Sequence, residues 1–357
     1  MKKLSICIPV YNRKALFEQC LLAACKACID HPDEVEIVVS DNASEDNLLA
    51  VVENIRVSYP TISIVYRRNG RNTGLAINFL KSVELANGEF CWIIGSDDFL
   101  VPHGVDSILK ILYDNEDIDF ISVAFKNVDL SAVKIGDFTF LIDNTIEKLS
   151  KKTEDPNPVS YRVEKWDSLV DPKFKNVLLG SVMTGVFRKS LWDTVDKTPI
   201  KSSLNLTSLT NTYPHIYIYS KCMIGRPAWY CGYPCILAGD GYREWAASGE
   251  KSFWQSSLPV IYLKIFPEMI ETYKEGGLEK TQLRKARRWS AGIVGNVFVK
   301  YVWHKFIKGK PVMSGEYISI KTILKTYWNV ADFYFSPLSA IFRRLCKPFR
   351  HLSKDAV

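Results

Sequence analysis

Short apolar runs alternate with amphipathic stretches over the first 125 residues. The run at 4–10 predicts a strand. The segment 15–28 then places apolar side chains at 16/17, 20/21, 24/25 and 28, the spacing of one helix face. The same alternation predicts strands over 35–39, 63–66, 90–94 and 120–125, with helices over 47–59, 75–86 and 104–113 between them. Strands separated by helices imply βαβ units, hence an α/β domain with a mostly parallel sheet flanked by helices. Such sheets bind ligands at the carboxyl ends of their strands, so the residues just after each strand carry the functional question.

From 126 to 175 the alternation lapses into a polar stretch containing Asp155-Pro156-Asn157-Pro158, read as an insertion. Residues 176–186 predict a further buried strand or strand pair. Beyond 252 the pattern turns helical, with amphipathic stretches over 258–273, 281–306 and 318–334 separated by Gly276-Gly277 and Gly309-Lys310-Pro311. No internal repeat is present.

Composition narrows the class. With 357 residues, 47% hydrophobic and 24% charged, the chain has an ordinary globular balance, which excludes disordered, collagen-like and coiled-coil readings. Nine cysteines, an odd number scattered through apolar runs, predict reduced buried thiols in a cytosolic protein. Cys25 with Cys28 and Cys231 with Cys235 are spaced like two halves of a zinc site, yet no His pair or further CxxC completes it. Met1-Lys2-Lys3-Leu4 runs straight into a predicted strand, unlike a signal peptide. Apolar uncharged runs such as 289–299 and 333–342 are about half of the roughly 18–20 residues that a spanning helix needs.

The formal charge of +7 is unevenly placed. The segment 274–350 carries 16 Lys and Arg against 4 Asp and Glu, a net of +12, which leaves −5 for the rest. Those cations are interleaved with Trp303, Phe306, Trp328, Phe333, Phe335 and Phe342. The combination suits a segment lying on an anionic membrane surface, and equally a solvated helical face packed by its aromatics. No helix-turn-helix, OB or RRM pattern accompanies the basic residues, which argues against a nucleic-acid partner.

The strand ends carry the candidate chemistry. The first ends in Pro9-Val10-Tyr11-Asn12-Arg13, the second in Ser40-Asp41-Asn42-Ala43-Ser44-Glu45-Asp46, the fourth in Gly95-Ser96-Asp97-Asp98. Paired carboxylates directly after an apolar strand are costly unless they meet a cation, and hard oxygen ligands suit Mg²⁺ or Mn²⁺ carrying a substrate's phosphates. A helix cap plus a solvated neighbour is the alternative reading of Asp97-Asp98. Asp41 could accept the imino N–H of uracil or thymine, or close an Asx turn, or both. Arg67, Arg68, Gly70, Arg71, Asn72 and Gly74 make either a diphosphate-facing loop or a solvated one.

These motifs, together with Asn72-Thr73-Gly74, Asn78, Gly88-Glu89-Phe90 and Pro102, resemble in order and spacing the family 2 glycosyltransferases of GT-A fold. The resemblance runs from Ser5 to Pro102. It implies a Rossmann-like GT-A catalytic domain over 1–250, with a nucleotide-binding half at 1–125, an acceptor half at 176–250, and a helical basic-aromatic region at 251–357. It further implies that Pro9, Tyr11 and Arg13 wall a base pocket and that Asp41 holds the base. Asn12, Asn42, Arg71, Asn72, Gly74 and Ser96 would complete the donor nucleotide site. Asp97 would be the metal aspartate of a DXD-type motif, and Asp98 its catalytic neighbour at the donor sugar or ribose.

Two departures stand out. Gly95 replaces an acidic residue that the family often has two places before its metal aspartate. The Glu-Asp pair that usually supplies the catalytic base is missing from Thr212-Tyr213-Pro214-His215-Ile216-Tyr217, where His215 is the nearest proton acceptor. An imidazole is a competent base for a sugar hydroxyl; a histidine capping an apolar element is the competing reading. Glu164, Asp193 and Asp240 are fallback bases. Arg243 and Trp245 are faintly similar to the Gln-x-x-Arg-Trp motif of processive members, for the leaving diphosphate or the acceptor.

The activity implied is metal-assisted, inverting transfer of a sugar from a nucleoside diphosphate donor, UDP or dTDP favoured, to a hydroxyl of a glycan or lipid-linked acceptor. The resemblance extends to bacterial O-antigen and capsule transferases, the abequosyltransferases among them, and implies a cytoplasmic enzyme held peripherally at the membrane. Two other functions are weighed against it. A sugar-phosphate nucleotidyltransferase usually opens with a Gly-rich loop, and Pro9–Arg13 contains no glycine. The other is a non-catalytic, membrane-associated assembly subunit.

Overall fold

The computed structural model describes residues 2–130, 142–145, 147, 159–240, 253–313 and 315–345. Two compact units divide the chain: residues 1–205 with 210–243, and residues 206–209 with 244–357.

The first unit is built on a mixed nine-stranded sheet. In chain order its elements are β1 (Leu4–Val10), α1 (Lys14–Cys28), β2 (Val35–Asp41), α2 (Leu48–Ser58), β3 (Ser63–Arg68), α3 (Leu75–Glu84), β4 (Phe90–Ile93), β5 (Asp98–Leu100), α4 (Pro102–Asp114), β6 (Phe120–Asp129), β7 (Ser160–Val163), β8 (Gly185–Arg188), α5 (Lys189–Thr194), α6 (Pro214–Cys222) and β9 (Ala228–Asp240). The strand order is β3-β2-β1-β4-β8-β6-β9-β5, with β7 on the side of β9. β3, β2, β1 and β4 are parallel. β1 and β2 are buried along their whole length, which is why they read as unbroken runs: a parallel strand is covered by helices on both faces. α1 packs against α2 and α4, while α3 packs across β1 and β2. The carboxyl ends of β1, β2, β3 and β4 therefore share one edge.

Beyond β4 the structure departs from the sequence reading in three places. The stretch after 125 is not all insertion: β6 continues to Asp129, and Ser160–Val163 forms β7, both laddered to β9. β9 escaped the hydrophobic pattern because Gly232 and Pro234 interrupt it. Pro234 falls where the β6 to β9 register shifts, a place where a missing N–H is tolerated, and a Cβ on Gly232 would meet the Val159 carbonyl at 2.3 Å. The strand expected over 176–186 survives only as β8. Before it, Val177, Leu178 and Leu179 take left-handed φ values of 52, 56 and 68°, held by Leu179 N donating to Asn176 Oδ1 at 3.0 Å. The eight described cysteines are buried and free, and no metal-binding group of His, Cys, Asp or Glu forms among the described residues, so the zinc alternative has no support.

The second unit is helical: α7 (Phe266–Glu275), α8 (Lys280–Val302), α9 (Ile320–Tyr327) and α10 (Ala331–Leu345). The diglycine ends α7 as expected, with Gly277 at φ 91° and Leu278 N reaching back to Tyr273 O. The stretch expected as one helix over 318–334 is two, because the chain turns at Trp328-Asn329-Val330. α8 and α10 cross where Gly295 faces the Phe333 carbonyl; a Cβ there would lie 2.1 Å from it. Pro337 lies four residues after Phe333 inside α10 and has no N–H to offer that carbonyl. The freed oxygen is met by the glycine backbone. Among the described residues no helix is long and apolar enough to cross a membrane.

Candidate active site

β1 ends in a tight reversal. Asn12 and Arg13 both adopt left-handed φ, 55 and 64°, and Arg13 is the cap of α1. Asn12 N donates to Ser44 Oγ at 2.8 Å and its Oδ1 accepts from Glu45 N at 2.9 Å, which locks the end of β1 to the loop after β2. Arg13 Nη1 thereby reaches Asp97 Oδ2 at 3.2 Å.

Asp41 ends β2 and is 1% exposed. Its Oδ1 accepts from Ser44 N at 2.8 Å, so the Asx turn exists; its Oδ2 accepts from Tyr66 OH at 2.7 Å and faces Arg68 Nε at 3.6 Å. Arg68 also donates to Ser44 O at 2.9 Å. Burial, and then the bond to Asp41, push the Tyr66 phenol well above its ordinary value. The sequence does not single out Tyr66 and assigns Arg68 to the loop that follows, although alternation along β3 puts both on one face of the strand.

The loop after β3 is organised by Asn42. Its Oδ1 accepts from Asn69 Nδ2 at 3.3 Å, Thr73 N at 3.0 Å and Thr73 Oγ1 at 3.1 Å, while its Nδ2 donates to Asn72 Oδ1 at 2.7 Å and Gly74 O at 3.3 Å. Its side-chain amide is fully used in holding the loop. Asn72 is engaged likewise, accepting from Gly74 N at 2.9 Å. Gly74 is fixed by φ 84° and by the Ser203 carbonyl, which a Cβ would meet at 1.9 Å. Asn72 and Gly74 thus shape the loop, and Arg71 stands exposed on it. Pro9 is a buried ladder residue opposite Ser40, and Tyr11 is half-buried beyond it.

The fourth strand end delivers Asp97 and Asp98. Asp98 opens β5, and the cap of α4 is Val101, so the helix-cap alternative is overturned. Asp98 Oδ2 accepts from Gly95 N at 2.7 Å. Gly95 has its own reason: a Cβ there would meet Asp97 Oδ1 at 2.6 Å and Asp98 Oδ2 at 2.9 Å, so any side chain at 95 requires the two carboxylates to swing aside. Ser96, between Gly95 and Asp97, is buried. Burial first, and then the charges of Asp98 and Asp97, push up the Cys20 thiol. The Asp97 side chain, 19% exposed, is the carboxylate presented outward. One or two carboxylates, with substrate phosphates and water filling the remaining positions, are what Mg²⁺ or Mn²⁺ takes, so these residues fit such an ion.

β9 completes the edge. It pairs antiparallel with β5, Asp98 opposite Ala238, and Gly239 N donates to Asp97 O at 2.9 Å. Asp240, two residues beyond Ala238, falls on the same face of β9 at the carboxylate end of β5.

His215 does not reach solvent. It lies in the first turn of α6, 1% exposed, with Nε2 3.1 Å from Leu179 O and rings of Tyr213 and Tyr219 edge-on. Desolvation lowers its pKa to about 4. A general base must contact the hydroxyl it deprotonates, so this position contradicts the catalytic assignment and suits a brace for the left-handed turn 177–179. Of the fallback bases, Glu164 pairs with Arg162 and Asp193 with Lys189 on exposed surface. Arg243 and Trp245 lie outside the described residues.

The comparisons with known proteins agree with this architecture. The model of glycosyl transferase family 2 matches residues 5–163. Abequosyltransferase RfbV of Salmonella typhimurium is 30% identical over 226 residues, 60% of this chain; the match spans 59% of that relative's own length. Among solved structures, S. aureus TarS 1–349 in complex with UDP-GlcNAc superposes with a TM-score of 0.56 at 16% identity, over 91% of this chain and 79% of that one. The mannosyltransferase PcManGT from Pyrobaculum calidifontis, with GDP-Man and Mn²⁺, gives 0.50 at 13% identity over 99% and 83%.

Proposed function

We propose that the protein is a family 2 glycosyltransferase of GT-A fold, as the match of that family's model to residues 5–163 supports, and that it transfers a sugar from a nucleoside diphosphate donor to a hydroxyl of a glycan acceptor. The observation that carries this reading is the convergence of Asp41, Arg13 and Asp97 on one sheet edge, with Arg13 already beside Asp97.

Asp41 is assigned to the base. Arg68 Nε at 3.6 Å lies beyond hydrogen-bond distance, and Arg68 is half exposed, so an imino N–H could take its place at Oδ2. That favours UDP or dTDP. Asp97 is assigned to Mg²⁺ or Mn²⁺, which when bound would offset charge on the departing diphosphate. Arg13 and Arg71 are the cations at hand for the phosphate oxygens. Acceptor deprotonation is assigned to Asp240, from its place on β9, with inversion at the anomeric carbon. A lipid-linked acceptor in bacterial surface polysaccharide synthesis, reached from the cytoplasmic side of the membrane, is the setting that the basic tail supports, and the Salmonella relative makes a deoxyhexose the first donor sugar to try.

The test is a thermal-shift screen with UDP, dTDP, CDP and GDP in the presence of Mn²⁺, followed by transfer assays on a panel of nucleotide sugars. Stabilisation by UDP or dTDP is expected. Stabilisation confined to CDP or GDP overturns the role given to Asp41, and no turnover of any donor overturns the transfer reaction.

A further inference from the structure

The helical unit contains a pocket of about 480 Å³ between the first turns of α8 and the α9 to α10 turn. Lys280, Arg284, Arg287 and Arg288 line it at spacings of four, seven and eight residues along α8, one face of the helix. Asp332 is the single carboxylate in the lining, and it is taken by Arg288 at 2.9 Å. Arg287 is held in place, Nε donating to Thr326 O at 2.6 Å and Nη2 to Asn329 Oδ1 at 2.7 Å. Lys280 and Arg284 have no ion-pair or hydrogen-bond partner among the described residues. Like charges one turn apart repel, so an anion brought to this exposed face lowers that repulsion and meets two cations that no described residue already holds.

The rest of the lining is apolar. Leu283 on α8 itself and Val330 and Ala331 across from it add apolar surface to the lining, so the space suits an anion carried on a hydrocarbon stem better than a bare phosphate. Beside it, Trp328, Tyr334, Phe335 and Leu338 are 64, 47, 67 and 59% exposed, an apolar surface flanking a basic pocket. An indole and a phenol at the margin of a cationic site are what a membrane interface favours.

We propose that this pocket binds the phosphate headgroup of an anionic membrane lipid, with the flanking aromatic side chains resting at the level of the headgroups. The site is contained in the helical unit and is independent of the transfer reaction. Two lipid sources share the chemistry, a phosphatidylglycerol-type diester and a polyprenyl phosphate, and the experiment separates them.

Full-length protein and the Lys280→Gln/Arg284→Gln variant would be sedimented with three kinds of vesicle: phosphatidylcholine alone, phosphatidylcholine with phosphatidylglycerol admixed, and phosphatidylcholine with undecaprenyl phosphate admixed to the same surface charge. The parent should bind both anionic vesicles and leave the neutral ones. The variant should lose at least tenfold in affinity, with its melting temperature and its response to nucleotide unchanged. Stronger binding to the polyprenyl phosphate vesicles identifies that lipid, stronger binding to the phosphatidylglycerol vesicles identifies the diester, and equal binding identifies the phosphate group that the two share. Undiminished binding by the variant overturns the proposal, as does equal binding to neutral vesicles. So does full competition by millimolar inorganic phosphate, which would show that the apolar stem contributes nothing. Loss of sugar transfer with vesicle binding intact would count against the enzyme reading alone.

Discussion

Arg13 Nη1 lies 3.2 Å from Asp97 Oδ2, a contact across 84 residues of sequence made by two side chains that are each about one-fifth exposed. The pair joins the end of β1 to the loop after β4 and sets a cation beside the carboxylate proposed for the metal.

Asp97→Asn should therefore separate function from stability. Solvent screens a pair exposed to this degree, so the folding cost is within about 1 kcal/mol. If Asp97 holds the metal as proposed, its loss should lower transfer at least a hundredfold, with Mn²⁺ no longer raising the melting temperature in the presence of nucleotide. Calorimetric titration of Mn²⁺ with UDP, parent against variant, checks it; unchanged Mn²⁺ affinity would remove Asp97 from the metal site.

Gly95 yields a second expectation, because the two carboxylate oxygens lie within 2.9 Å of where its Cβ would be. Gly95→Asp, which installs the acid often found there in the family, should weaken metal-dependent donor binding rather than strengthen it, since three carboxylates would crowd one space. Gly95→Ala should lower transfer about tenfold by displacing Asp97. A gain of Mn²⁺ affinity in the aspartate variant would show that the position can open.

The strand ends were legible because a buried parallel strand is a continuous apolar run, and an acidic residue directly after it is conspicuous: Asp41 and Asp97 could be found that way. The partners of those residues were not legible. Tyr66 and Arg68 meet Asp41 only through the β2 to β3 ladder, and Asp240 comes beside β5 through a strand interrupted by Gly232 and Pro234. Val177-Leu178-Leu179 has strand propensity and adopts left-handed turns instead, because Asn176 and His215 supply local hydrogen-bond partners that outweigh it. His215 was visible as a histidine; its burial depends on the packing of α6.

The His215 pKa of about 4 predicts a pH dependence of stability. The folded form rejects a proton that the unfolded chain accepts near pH 6.5, so unfolding is accompanied by proton uptake between those values. The stability associated with neutral His215 is complete above pH 6.5, declines as pH falls toward 4, and amounts to at most about 3 kcal/mol. His215→Gln should flatten the dependence of the urea midpoint between pH 4 and 6.5, and should leave the acidic limb of the transfer rate profile in place. Disappearance of that limb would restore His215 as the base.

In the helical unit, Gly295 and Pro337 act on the same oxygen. Gly295→Ala would drive a Cβ into the Phe333 carbonyl, a backbone atom that cannot step aside, and should cost about 1–3 kcal/mol. Pro337→Ala supplies an N–H to that carbonyl and should be neutral or stabilising. Circular dichroism melts of both variants check the pair. An unchanged melting temperature in Gly295→Ala would show that the two helices do not cross this closely.

The role proposed for Asp240 can be tested directly. If it takes the acceptor proton, Asp240→Asn should lower the transfer rate by about 10²–10⁴ while the response of the melting temperature to UDP or dTDP stays as in the parent, because the donor contacts assigned to Asp41, Arg13 and Asp97 remain. Measurement at saturating donor isolates the acceptor step. If Asp240→Asn retains more than a tenth of the parent rate, the carboxylate is not the base. If nucleotide binding falls in parallel with rate, Asp240 belongs to the donor site and the acceptor proton leaves by another route.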